Sequence, residues 1–125
     1  MKFIKRFNES NEESIQDIID NVKDICLDIT DGRFSVSFMN TQSTISDKHG
    51  NAQVMTLIIA LTDVRDYDGF TLSEVEEVLQ RIYDYLTIRR FMGCSVLKVG
   101  ETHRSAMKYI THDDRMSNIA IHFKE

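Results

Sequence analysis

Two stretches of this chain follow one plan, 61 positions apart. Ser10 and Glu13 match Thr71 and Glu74. Each is a Ser/Thr-x-x-Glu pair, which starts a helix by exchanging side-chain and backbone hydrogen bonds. Gly32 matches Gly93, where each helical pattern stops, and Ile58 matches Ile119 inside a later apolar run. The plan is helix, glycine stop, strand, loop, strand, repeated once. It constrains the architecture closely and the chemistry hardly at all.

The first helical pattern runs from Asn11 to Thr30, with Ile15, Ile18, Ile19, Val22, Ile25, Cys26 and Ile29 on one stripe. Ser10 caps it in this reading, and Asp31-Gly32 ends it with glycine in the left-handed C′ position. Residues 33–39 alternate as a half-buried strand does, with Phe34, Val36 and Phe38 on one side. Residues 40–51 are polar and read as a loop; Ala52 to Val64 is apolar on both faces and reads as a central strand. A polar turn over 65–70 leads into a second helix, Leu72 to Phe91, with Leu72, Val75, Val78, Leu79, Ile82 and Leu86 inward. Met92-Gly93 ends that helix. A strand from Cys94 to Val99, a polar loop over 100–113 and a last strand from Met116 to Phe123 complete the chain.

The order αββαββ predicts one α+β domain over 1–125, a two-layer sandwich with both helices on one face of a mostly antiparallel sheet of four or five strands. If residues 2–7 form a leading strand, the arrangement becomes ferredoxin-like, βαββαβ plus a final strand. The glycine stops carry an expectation of their own. If both glycines hold positive φ, Gly32→Val and Gly93→Val each cost on the order of 1 kcal/mol or more.

Composition narrows the function classes. Hydrophobic residues at 42% and charged residues at 28% give the globular balance. A net charge of −5 argues against a whole-surface nucleic-acid binder. Two cysteines, Cys26 and Cys94, cannot make a zinc site alone and read as reduced thiols. No apolar run has the length of a membrane span, and the apolar stretch at Met1 to Phe7 is too short for a signal peptide. A cytoplasmic setting without cofactor or metal is the expectation.

Several residue groups bear on function. The polar stretch 100–115 holds His103, His112 and Asp114, which would suit a small hydrolase if the topology brought them together; a solvated loop is the plainer reading. Asp17, Asp20, Asp24, Asp28 and Asp31 form an acidic ridge on the first helix, either a docking face for a basic partner or simply its solvated side. Residues 1–85 carry eight Lys/Arg and sixteen Asp/Glu, a net of −8, whereas 86–125 carry seven and four, a net of +3. Arg89, Arg90, Lys98, Arg104 and Lys108 are the residues a nucleotide- or nucleic-acid-binding surface would use.

The face of the sheet away from the helices weighs most. If Phe34, Leu57, Ile59, Leu97, Val99, Ile119, Ile121 and Phe123 face the helices, then Ser35, Ser37, Val54, Thr56, Ile58, Ala60, Cys94, Val96, Lys98, Asn118, Ala120 and His122 face away. That surface offers no aromatic on which an RNA base would stack. Val54, Ile58, Val96 and Ala120 would instead form a homodimer face.

The opening Met-Lys-Phe-Ile-Lys-Arg-Phe-Asn-Glu-Ser, the acidic helix, Asp-Gly-Arg-Phe-Ser-Val-Ser over 31–37, and the stretch from Phe70 to Leu86 together resemble a group of small proteins of T4-like tailed phages. The likeness covers most of residues 1–100. It implies a viral accessory protein acting in the host cytoplasm. It implies no activity, so no functional residues carry over. The reading that ranks first is a non-enzymatic interaction domain, a homodimer that also binds a protein partner. A nucleic-acid module ranks second, and the hydrolase third.

Overall fold

The computed structural model describes residues 14–30, 32–47, 50–63, 65 and 67–124, with 41–47 and 50–52 described by backbone alone. Two of the sequence expectations, the Ser10–Glu13 cap and a strand over 2–7, lie outside the described residues.

The first helix, α1 (Ile15–Ile25), starts from Ser14. Asp17 N–H donates to Ser14 Oγ at 3.2 Å, and Ser14 N–H donates to Asp17 Oδ2 at 3.4 Å. The box is thus built one turn later than the Ser10–Glu13 pair. The helix breaks at Cys26, whose N–H is shared between the Val22 and Lys23 carbonyls, and resumes as α2 (Leu27–Thr30). The long helix α3 (Leu72–Arg90) begins where the repeat places it, with Thr71 N–H donating to Glu74 Oε2 at 2.8 Å. Its stripe of Val75, Val78, Leu79, Ile82 and Leu86 is buried, as the spacing predicts. Each such side chain contributes roughly 1.5–3 kcal/mol by leaving water. Much of the acidic ridge is used locally: Asp17 caps, Asp20 accepts from Gln16, and Asp28 pairs with Arg81 of α3.

Among the described residues six antiparallel strands form one sheet, and the helices pack on one of its faces. They are β1 (Phe34–Asp47), β2 (Gly50–Leu61), β3 (Phe70–Thr71), β4 (Phe91–Lys98), β5 (Ser105–Ala106) and β6 (Arg115–Lys124). The order is β1-β2-β6-β4-β5, with β3 beside β6. Of the polar segment expected to be a loop, residues 40–47 and 50–51 are therefore strand. Its Thr and Ile residues suit extended backbone, and the β1–β2 pairing runs on from Thr44↔Gln53 to Asp47↔Gly50 after a shift between Asn40 and Thr44.

β2 pairs with β6 so that Ile58 faces Ala120 and Ile59 faces Ile119. The 61-residue offset does not act as a symmetry of this pair, because Ile58 points to the helix-free face and Ile119 into the core. β6 lies between β2 and β4, the slot that the first strand takes in a ferredoxin-like unit. The described chain has that layout with the slot filled from its C-terminal end.

Both glycine stops need correction. Positive φ occurs at Gly69 and Gly100, not at Gly32 or Gly93. Gly32 donates its N–H to Ile29 in an ordinary turn, and Gly93 lies within β4, where an added Cβ would meet nothing within 4 Å. The motive for a large Gly→Val cost at either site is gone.

The facing of β4 also differs from the expectation. Its register shifts between Phe91 and Gly93, and a one-residue slip turns every later side chain to the other face. Val96 pairs with Ile119 and Cys94 with Ile121, both toward the helices; Ser95 and Leu97 face away. Val96 is fully buried in the core and is removed from the proposed dimer face. Among the described residues no helix is long and apolar enough to cross a membrane.

Candidate functional site

The structure holds two surfaces on which a partner or ligand has something to recognise. One is the helix-free face of the sheet. Its pairings set out three rungs: Ser35, Ala60, Asn118 and Leu97; Ser37, Ile58, Ala120 and Ser95; Met39, Thr56, His122 and Gly93. Thr56 and His122 hold each other across the β2–β6 pair, Oγ1 to Nδ1, at 2.8 Å. Val54, opposite Lys124, continues the face at one end. Of the four residues expected to form a dimer face, Val54, Ile58 and Ala120 have its register, but Val54 and Ala120 are already buried within the chain and only Ile58, half-buried, still offers surface.

The other is a cleft of about 540 Å³ between the end of α3, the start of β4 and the one-turn 3₁₀ helix over Met107–Tyr109. It is lined by Tyr83, Thr87, Ile88, Phe91, Cys94, Ala106, Met107 and Lys108. Sequence builds it from below. The inward stripe of α3 carries Tyr83 onto the sheet, where its ring meets Phe91 edge-on at 5.2 Å. The slip in β4 turns Cys94 toward the helix layer, where its thiol interacts with the Tyr83 hydroxyl. Burial, then the Cys94 hydrogen bond, holds the Tyr83 hydroxyl above the usual phenol range. Burial also pushes the Cys94 thiol up, against the opposing effects of the Tyr83 bond and the Arg104 charge.

At Thr87 the backbone leaves the helical region, with φ 59° and ψ 169°. This corner of backbone space is used almost only by glycine, and a β-branched residue held there costs on the order of 1–3 kcal/mol. The break throws Ile88 outward, where it is 96% exposed. Thr87→Gly is therefore expected to raise stability by about 1 kcal/mol, after the entropy that glycine itself costs. Thermal unfolding checks this, and an unchanged or lower midpoint would show that the conformation carries no strain.

The residues singled out from sequence scatter. His112 pairs with Glu76 on α3 at 2.8 Å, His103 lies against Thr102 at 3.1 Å, and Asp114 accepts from the Thr111 N–H at 2.9 Å. Each has its own local partner, so the structure does not assemble His103, His112 and Asp114 into one site. Among the described residues no three His, Cys, Asp or Glu side chains group as metal ligands would. Of the basic set, Arg89 is exposed, Arg90 is buried in the last turn of α3, and Lys98 reaches Glu101 at 3.7 Å. Arg104 binds Ser95 through Oγ at 2.8 Å and the carbonyl at 3.1 Å. Lys108 alone lines the cleft. Sequence reasoning missed Tyr83, Thr87, Ile88 and Phe91 as a site. The one available signal was Ile88, an isoleucine out of phase with the stripe of its helix. The chain matches none of the family models, curated proteins or solved structures with which it was compared.

Proposed function

We propose that this chain is a non-enzymatic protein-interaction domain, the kind of role a small phage-like accessory protein would have, and that it pairs with a second copy of itself through the helix-free sheet face. The observation that carries this reading is the make-up of that face. Its three rungs hold no Asp, Glu, Lys or Arg, in a chain that is 28% charged; charge stands only at the margins, where Arg104 lies on Ser95 and Lys124 is opposite Val54. A sheet face that stays in water normally alternates polar and charged side chains. This one presents Ile58, Leu97 and Met39 among small neutral residues, the surface that packs against another sheet.

The area decides how tight such a pair is. Four strands about 4.8 Å apart and three rungs about 6.8 Å apart cover roughly 400 Å². Two copies bury at most about 1,000 Å², the lower end for a specific interface, because Val54, Thr56 and Ala120 are already shielded within each chain. If about half is apolar, burial at ~25 cal/mol per Å² supplies at most roughly 12 kcal/mol, and an association cost at the low end, about 4 kcal/mol, leaves about 8 kcal/mol. The expected pair is a weak dimer with a dissociation constant on the micromolar scale. A two-fold between the copies brings each Ile58 near its counterpart.

Sedimentation equilibrium tests the reading. The wild-type chain should move from monomer to dimer over tens of micromolar, approximately the range this balance implies. Ile58→Lys should stay monomeric throughout, with a far-UV spectrum and melting temperature close to wild type. A wild-type chain that remains monomeric over that range would end the proposal. So would an Ile58→Lys chain that dimerises as well as the parent.

A further inference from the structure

The cleft at the end of α3 belongs to a different part of the molecule from the sheet face, and it has the features of a small-molecule site. Its volume of about 540 Å³ falls in the range that takes metabolite-sized or drug-sized ligands. Tyr83, Ile88, Phe91 and Met107 supply an apolar, partly aromatic wall. Among the described residues that line it, one is a lysine and none carries a carboxylate. Lys108 has no ion pair among the described residues; its ammonium rests 5.2 Å from the centre of the Tyr109 ring. A lysine without a carboxylate partner is notable in a chain of net charge −5. Thr87 gives a separate observation. Backbone strain of this kind gathers at ligand clamps and switch points, and here it sits on the cleft wall and holds Ile88 out into water.

We propose that this cleft binds a small amphipathic carboxylate, a medium-chain aliphatic or aryl-alkyl acid, with its apolar body between Tyr83, Phe91 and Met107 and its carboxylate on Lys108. Charge complementarity selects this class. An apolar wall alone would accept an alcohol, an amine or an acid of equal length. The lysine favours the acid and opposes the amine. Ile88 is the one large apolar side chain on the wall left almost wholly exposed, and it closes against the ligand chain. Binding at millimolar to micromolar strength is the scale for a ligand of about a dozen heavy atoms.

Cys94 makes the proposal measurable, because it lies on the cleft wall while the other cysteine, Cys26, is fully buried in the core. The experiment follows the rate of Cys94 modification by an aromatic disulfide reagent at mildly alkaline pH, with increasing decanoate. Decyltrimethylammonium and 1-decanol serve as cationic and neutral controls, all below their aggregation limits. Decanoate should slow the reaction several-fold and saturably, and decyltrimethylammonium should leave it unchanged. Lys108→Glu, at an exposed position that tolerates substitution, should weaken decanoate protection by about fivefold or more, the scale for reversing a partly exposed charge. Ile88→Ala should weaken decanoate and decanol protection together. No protection by decanoate overturns the proposal. Equal protection by all three probes also overturns it, since the cleft would then be a non-selective apolar surface of the kind a partner side chain fills.

Discussion

Phe70→Ala is expected to lower the unfolding free energy by about 3–5 kcal/mol, the range for deleting a buried aromatic ring and leaving its cavity. Phe70 is fully buried, and its ring meets Phe34 edge-on, with centres 5.0 Å apart and planes at 83°. Its position gives the ring a second task. β3 is two residues long, pairs only with Met116 and Arg115 of β6, and runs directly into α3 at Leu72. Phe70 therefore seats the first turn of the long helix against the sheet. A domain of this size has a total stability of roughly 5–15 kcal/mol, so the loss is a large fraction of the whole. Urea unfolding followed by circular dichroism should show a much lower midpoint with an unchanged slope. Leu27→Ala, at a position 56% exposed, should stay within about 0.5 kcal/mol and serves as the control. A Phe70→Ala chain with the wild-type midpoint would mean that the ring is not part of the core.

The parts legible in sequence are those fixed by local pattern. The stripe of α3 has a period that only one helix face satisfies, and all of its expected inward residues from Val75 to Leu86 are buried. Both helix starts offer two overlapping signals, Ser10–Glu13 and Ser14–Asp17 near α1, Thr71–Glu74 and Ser73–Glu76 near α3, and pattern alone does not choose between them; at α3 the expected pair is the one that forms. The αββ order was readable because it is pattern, whereas the 61-residue offset is not a symmetry of the central β2–β6 pair, where Ile58 and Ile119 face opposite ways. The facing of β4 was not readable, because the slip near Phe91 is set by pairing with β6, far along the chain. The segment around 40–47 was misread for the same reason: its polar residues gain their ladder from a partner strand. The cleft needs α3, β4 and the 3₁₀ turn to meet, and no local signal announces that meeting. The stretch 100–115 shows the opposite error. It is rich in chemistry-bearing residues, yet His103, His112 and Asp114 each bind a different neighbour.

Gly69→Ala should destabilise the domain by about 2–4 kcal/mol, far more than a methyl group suggests. Two costs meet at this position. Gly69 holds φ at +71°, a conformation that disfavours an L side chain by roughly 1–2 kcal/mol. An added Cβ would also meet the Met116 carbonyl oxygen at 2.4 Å and Val99 Cγ2 at 2.5 Å, an overpacking cost of about 1–3 kcal/mol. Neither is easily relieved. The Gly69 carbonyl accepts from Arg33 Nη2 at 3.0 Å and from Arg115 Nη2 at 3.1 Å, and rotating the peptide would break two charge-assisted bonds. Arg33 also pairs with Glu74, which caps α3, so a shift here carries into the start of that helix. Two other glycines separate the contributions. Gly100 has φ +83° with nothing within 4 Å of an added Cβ, so Gly100→Ala should cost the backbone part alone, about 1–2 kcal/mol. Gly93 has neither constraint, and Gly93→Ala should be neutral or gain up to about 1 kcal/mol by stiffening the strand. The order of unfolding midpoints is thus Gly93→Ala highest, Gly100→Ala between, Gly69→Ala lowest. Equal midpoints for Gly69→Ala and Gly100→Ala would mean that the chain around Met116 yields to the methyl group, leaving backbone conformation as the whole of the effect.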